Sequence, residues 1–240
     1  MKARLQTLIL IGLAGLGLSI VRPAWSEDLI DDMSPTPPPQ GAIVLFNGKD
    51  TSAWQGGGGK PCPWKVLDDG TMEVVLKTGD ISTKQKFRDF QLHVEFWLPN
   101  LPPDVKSQAR ANSGVYLQGL YEIQVLDSYN NPTYPMGGCG AIYKKKDPDN
   151  FDTAVRPPEK WNKYDATFRA ARFDATGKKT ENARVTVLWN VIKVHDNYEI
   201  PGPTAGGKEG PEPGPIRLQD HHNLVRYRSI WIVPIEGEKK

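Results

Sequence analysis

The sequence predicts an all-β fold, a sandwich of two packed antiparallel sheets. Three observations predict it. Apolar and polar residues alternate with a period of two in many short runs, most cleanly in FQLHVEFWL, residues 90–98. Turn-forming residues separate such runs roughly every ten residues. Outside the first 26 residues, no stretch keeps a helical period beyond about two turns. A closed barrel is the alternative arrangement of the same strands.

Residues 1–26 carry Lys2 and Arg4, an apolar run from Leu8 to Val21, and Ala24-Trp25-Ser26, the pattern of a cleavable secretory signal. The run is shorter than the roughly 20 residues of a membrane-spanning helix, and no Cys follows it to carry a lipid. No membrane span is expected, and the mature chain is expected in the periplasm or secreted. Residues 27–41 form a tether, proline-rich in DDMSPTPPPQ, expected to be extended or disordered. Residues 42–236 are expected to make one domain.

Within that domain AIVLF, residues 42–46, reads as a first strand closed by Asn47-Gly48. The four glycines 56–59 lack the Gly-Lys-Ser/Thr ending of a phosphate loop and read as a flexible loop. Residues 64–67 and 72–77 flank Asp68-Asp69-Gly70 as a hairpin. In residues 90–98 the set Phe90, Leu92, Val94, Phe96 and Leu98 faces the core, leaving Gln91, His93, Glu95 and Trp97 on the other face. His93 and Glu95 are expected to be solvated there. Residues 161–169, 183–189, 191–195, 216–219 and 224–235 read as further strands. The Pro- and Gly-rich residues 201–215 form a long loop of the kind that often carries function.

The centre of the chain is RANSGVYLQGLYEIQVLDSYNNPTYPMGGCGAIY, residues 110–143. Val115 and Leu117 share one parity; Asn112, Tyr116 and Gln118 share the other. After Gly119-Leu120, Tyr121, Ile123 and Val125 face one way and Glu122 and Gln124 the other. Two neighbouring strands thus present a carboxyl, amides and a phenol together, which suits sugar hydroxyls. Asp127, five residues beyond Glu122, has the wrong parity unless a bulge inserts a residue. The order Glu-x-Gln-x-x-Asp departs from the Glu-x-Asp-x-x-Glu of laminarinase-like glucanases, so hydrolysis by a close carboxylate pair is not the expected chemistry.

Removing residues 1–26 leaves 27 basic against 28 acidic residues, so bulk charge recruits neither nucleic acid nor an anionic membrane. Cys62 and Cys139 are open to pairing in an oxidising compartment, or stand as separate thiols. Lys144 to Lys146 reads as a solvated loop, and His221-His222 by itself as a polar turn.

The chain resembles the 3-keto-disaccharide hydrolase domain family, a concanavalin A-like lectin/glucanase sandwich of jelly-roll type. The matching pieces are LFNG (45–48), DFQL (89–92), NSGVY (112–116), YEIQVLD (121–127), GCGAIY (138–143), WN (161–162), GPI (214–216), QDH (219–221) and IW (230–231). The resemblance implies a carbohydrate substrate, a glycoside oxidised to a ketone at C3. Such a ketone acidifies the C2 proton, so a base can take it, the C1 substituent can leave, and water can add back. The catalytic candidates are Glu122, Asp127 and His221. Arg110, Asn112, Tyr116, Gln124, Tyr143 and Gln219 are the candidate substrate-binding residues. The residues point to no definite cofactor, and a divalent metal held by Glu122, Asp127 and His221 stays open. A non-catalytic sugar-binding module and a conventional glucanase are the alternatives.

Overall fold

The computed structural model describes residues 34–204 and 206–235. The expected signal segment and residues 27–33 of the tether lie outside the described residues. Fifteen strands, one single-turn α-helix, α1 (Phe151–Ala154), and two 3-10 turns, Gly57–Gly59 and Ser107–Ala109, are formed among them.

Eight strands make the larger antiparallel sheet: β1 (Ile43–Phe46), β3 (Lys65–Val66), β4 (Met72–Glu73), β6 (Phe90–Trp97), β9 (Trp161–Arg169), β12 (Ala183–Trp189), β13 (Ile192–Ile200) and β15 (Arg226–Pro234). Their order is β13-β12-β9-β6-β15-β4-β3, with β1 also paired to β15. Five strands make the second sheet, in the order β2 (Trp54–Gln55), β5 (Ile81–Thr83), β14 (Arg217–Leu218), β7 (Ser113–Leu117), β8 (Tyr121–Val125). A separate hairpin joins β10 (Arg172–Phe173) to β11 (Lys179–Glu181).

The core sits between the sheets, filled by the alternate residues that the period-two pattern marks. Phe90, Leu92, Val94 and Phe96 of β6 and Tyr164, Ala166 and Phe168 of β9 are buried from the large sheet. Val115, Leu117, Ile123 and Val125 are buried from the small one. The sandwich, not the barrel, is therefore formed, because two apolar sheet faces cover one another.

One expectation is corrected, and two alternatives that the sequence left open are decided. His93 and Glu95 are not solvated: both are fully buried, because Arg228, Asp165 and the segment around Thr36 cover that part of β6 with matching polar groups. Cys62 and Cys139 do not pair. Cys139 is buried with its Sγ 3.2 Å from the Tyr164 hydroxyl, whereas Cys62 is half-buried beside Thr51 and Trp64. The ladder of β7 and β8 runs unbroken from Ser113↔Val125 to Leu117↔Tyr121, so no bulge within it turns Asp127 onto the face of Glu122.

Candidate active site

The outward face of the five-stranded sheet carries the chemistry. Directly paired residues of antiparallel strands point to the same side, and the register pairs Ser82 with Arg217, Arg217 with Tyr116, and Tyr116 with Glu122. These four side chains form one row across β5, β14, β7 and β8. In the neighbouring row Gly114 pairs with Gln124, and Gln219 donates its backbone N–H to the Gly114 carbonyl at 3.1 Å. An acid, a phenol, a guanidinium and two amides are thereby fixed on rigid backbone.

Glu122 is the centre of this cluster, 3% exposed. Burial raises its carboxyl to about 7; a hydrogen bond from Tyr116 and the charge of Arg217 pull it down, Asp80 pushes it up, and Lys144 pulls it down. The carboxyl folds over Gly114, where an added Cβ would lie 2.5 Å from Glu122 Oε1 and 2.9 Å from the Tyr116 ring. Only glycine leaves that space. The Arg217 guanidinium lies 3.7 Å from the centre of the Tyr116 ring and reaches Asp80 Oδ2 at 3.3 Å. Burial, then the charge of Glu122, raises the Tyr116 phenol well above the usual tyrosine range. Asp80 is likewise raised by burial and accepts the Asp220 backbone N–H at 2.9 Å.

Loops close the open edge of β8. The Glu122 N–H donates to Thr204 Oγ1 at 2.9 Å, its carbonyl accepts the Tyr143 N–H at 3.1 Å, and Gln124 exchanges backbone bonds with Ala141 and Gly140. The residues 201–215 loop thus supports the site through Thr204, and the GCGAIY segment forms its other wall. Tyr143 meets Tyr134 hydroxyl to hydroxyl at 2.5 Å, and Lys144 Nζ lies 5.2 Å from the Tyr143 ring centre.

The structure brings Glu122, Tyr116, Gln124 and Gln219 into one polar cluster, with Tyr143 joined to it through the Glu122 backbone. Gln219 Nε2 donates to the Tyr116 hydroxyl at 3.1 Å, while Gln219 Oε1 is buried without a partner. Asn112 Oδ1 is also buried without a partner, its amide nitrogen donating to the Gln108 carbonyl at 2.7 Å. Buried acceptors left unpaired are costly, and a sugar hydroxyl is a donor that satisfies them. Gln124 is tied by its own amide to Gln108 Oε1 and the Gly137 carbonyl.

Asp127 and Arg110 stand apart as a pair. Arg110 Nε donates to Asp127 Oδ2 at 2.6 Å, and the Tyr129 N–H to Asp127 Oδ1 at 3.1 Å, so both carboxylate oxygens are engaged. His221 is exposed beside Asp220. Among the described residues no group of three or more His, Cys, Asp or Glu is placed to hold a metal ion.

The sequence reading leaves Arg217 and Asp80 unremarked and puts Lys144 in a solvated loop, where it is indeed exposed. Arg217 shares its parity with Gln219, so extending the alternation through residues 216–219 would have found it; nothing local marks Asp80. Volume alone points elsewhere, to a cavity of about 1200 Å³ lined by Arg88, Arg169, Arg172 and Arg184. There Asp89, Glu181 and Glu199 pair with Arg172, Arg169 and Arg184, with Arg169 Nη1 left buried without a partner, whereas the buried acid raised toward neutrality stands at Glu122.

Solved structures agree on the fold. A protein from Parabacteroides distasonis ATCC 8503, provisionally described as a glycosyl hydrolase, is 39% identical with a TM-score of 0.75, covering 88% of this chain and 97% of its own. A second from the same organism, under the same provisional description, is 20% identical with a TM-score of 0.61, covering 82% and 94%; it shows the fold alone. No curated protein sequence matches the chain. The sequence profile of the 3-keto-alpha-glucoside-1,2-lyase-like domain matches residues 41–233. Profile, fold and the 39% identical relative agree, and the chain belongs to the 3-keto-alpha-glucoside-1,2-lyase-like domain family.

Proposed function

We propose that the protein cleaves glycosides whose sugar carries a ketone at C3, with Glu122 as the base. A carboxylate accepts the C2 proton; the C2–H electron pair becomes the enolate of the C3 ketone. Collapse of the enolate breaks the C1–O bond and forms a C1=C2 double bond, and the departing oxygen takes up a proton. Water then adds hydroxyl to C1 and hydrogen to C2, so the sum is hydrolysis. Arg217 and the Tyr116 phenol are the groups assigned to the developing oxyanion, since both stand in the row of Glu122. Gln219 and Asn112 receive sugar hydroxyls at their unpaired oxygens.

The observation that carries this proposal is Glu122: a buried carboxyl raised to about 7 is matched to proton abstraction near neutral pH. Incubating the purified protein with 3-keto-disaccharides and measuring free sugar tests it. Release that is lost in Glu122→Gln is expected; binding without release across several such substrates would reduce the protein to a sugar-binding module. The proposal includes export through residues 1–26, tested by N-terminal sequencing of the protein recovered outside the cytoplasm.

A further inference from the structure

Far from Glu122, the outer face of the eight-stranded sheet holds part of the proline-rich tether. Residues 35–39 read Pro-Thr-Pro-Pro-Pro, so Thr36 alone among them has a backbone N–H. That single donor meets Glu95 Oε1 at 2.7 Å. The Thr36 carbonyl accepts two further bonds, from the Ser229 hydroxyl and from Trp231 Nε1 at 3.3 Å. One peptide residue is thus read on both its polar groups.

The receiving groups are built for the task. Glu95 is fully buried in the middle of β6, where it also accepts from Arg228 Nε at 2.6 Å and lies 3.3 Å from His93 Nε2. His93 Nδ1 is 2.6 Å from Asp165, and its ring stacks on Trp231 with centroids 4.7 Å apart. Ser229 reaches the carbonyl because the β15–β6 register breaks between Arg228 and Trp231, and Ser229 itself sits at φ +43°. A bulge with a serine in the left-handed region is costly, and it persists where surrounding contacts hold it. A buried carboxylate, a bulge and an indole N–H converge on Thr36. A solvated linker would need none of them.

The four prolines fix φ and remove every competing backbone donor, so little ordering entropy is lost when the segment docks. They remain exposed, and the segment forms one wall of a cavity of about 410 Å³ that also includes Trp161, Trp231 and Arg228. Polar reading at one residue, rather than filling of the groove, therefore supplies the selectivity.

We propose that this face is a binding site for an extended, proline-flanked segment, occupied in cis by residues 35–39. Glu95 reads the lone amide, and Ser229 and Trp231 read the carbonyl of the same residue. In the purified chain, amide exchange at Thr36 followed by NMR is expected to be roughly 100-fold slower than in a synthetic peptide of residues 33–41. Thr36→Pro removes the donor and is expected to shift the Trp231 indole N–H resonance and speed its exchange; Thr36→Ser, which keeps the donor, is expected to leave both as in the parent chain. Exchange at Thr36 as fast as in the free peptide would overturn the proposal without any variant. An indole resonance unmoved by Thr36→Pro would overturn it equally.

Discussion

The carboxyl of Glu122 occupies the space above Gly114 that a side chain there would need, 2.5 Å from Oε1 to the position of an added Cβ. Gly114→Ala must therefore displace the carboxyl or the Tyr116 ring. Overpacking of this kind costs about 1–3 kcal/mol in stability. Turnover of a 3-keto-disaccharide is expected to fall at least about 100-fold, mainly in kcat, because geometry at the reacting group is lost while the amides that hold the sugar stay in place. A variant that keeps parental kcat would show that Glu122 need not lie there.

The pH profile should carry the same carboxyl. A base acts only when deprotonated, so kcat/KM is expected to rise with pH through a midpoint near 7, the value to which burial raises Glu122. A flat profile from pH 5 to 8 would remove Glu122 from the role of base.

Stability should move in the opposite sense. The folded carboxyl titrates at about 7 against 4.5 without the fold, so folding favours its protonated form. The native advantage is full below 4.5 and is lost as pH rises toward 7. Glu122→Gln, neutral throughout, is expected to abolish turnover and to be more stable than the parent at pH 8, by about 3 kcal/mol at most, with the difference vanishing near pH 4. Thermal melts at the two pH values check the sign.

Asp127 is expected to act on structure. Its two oxygens are engaged by Arg110 and by the Tyr129 backbone, away from the Glu122 row. Asp127→Asn leaves Arg110 with an unmatched charge and is expected to cost about 3 kcal/mol in denaturant titrations. The pH midpoint of the surviving activity is expected to stay that of the parent. A shifted midpoint would place Asp127 in the proton transfers after all.

The network below the tether predicts an alkaline weakness. His93 sits between the carboxylates of Asp165 and Glu95; burial opposes its charge, but hydrogen bonds to the two acids outweigh it and raise its pKa above the ordinary value of 6.5. A raised histidine stabilises fully below about 6.5 and loses that contribution as pH climbs past the folded value. His93→Gln is expected to flatten the fall in melting temperature between pH 6.5 and 9. An equal fall in both proteins would assign the decline to other groups.

Most of the fold was legible because one sheet face is always apolar. The alternation in Phe90 to Leu98 and in Tyr164, Ala166 and Phe168 fixed which residues meet in the core, and the parity of Glu122, Gln124 and Tyr116 put them on the other side. Parity does not say what lies above that side. His93 and Glu95 occur in a pattern indistinguishable from a solvated face, and only the docking of Thr36 and Arg228 from distant parts of the chain buries them. Asp80 and Arg217 join the site through pairings between β5, β14 and β7, a long-range register that no local spacing encodes. The short strands β2, β5, β10 and β11 were missed because two or three residues are too few to show a period.

The unpaired thiols have a practical consequence. Since no covalent crosslink joins Cys62 to Cys139, the sandwich holds itself together by its apolar interior and polar ties alone. Dithiothreitol should leave its melting point where it was, and a cytosolic expression host lacking any oxidative folding machinery should yield protein as sound as one that exports it.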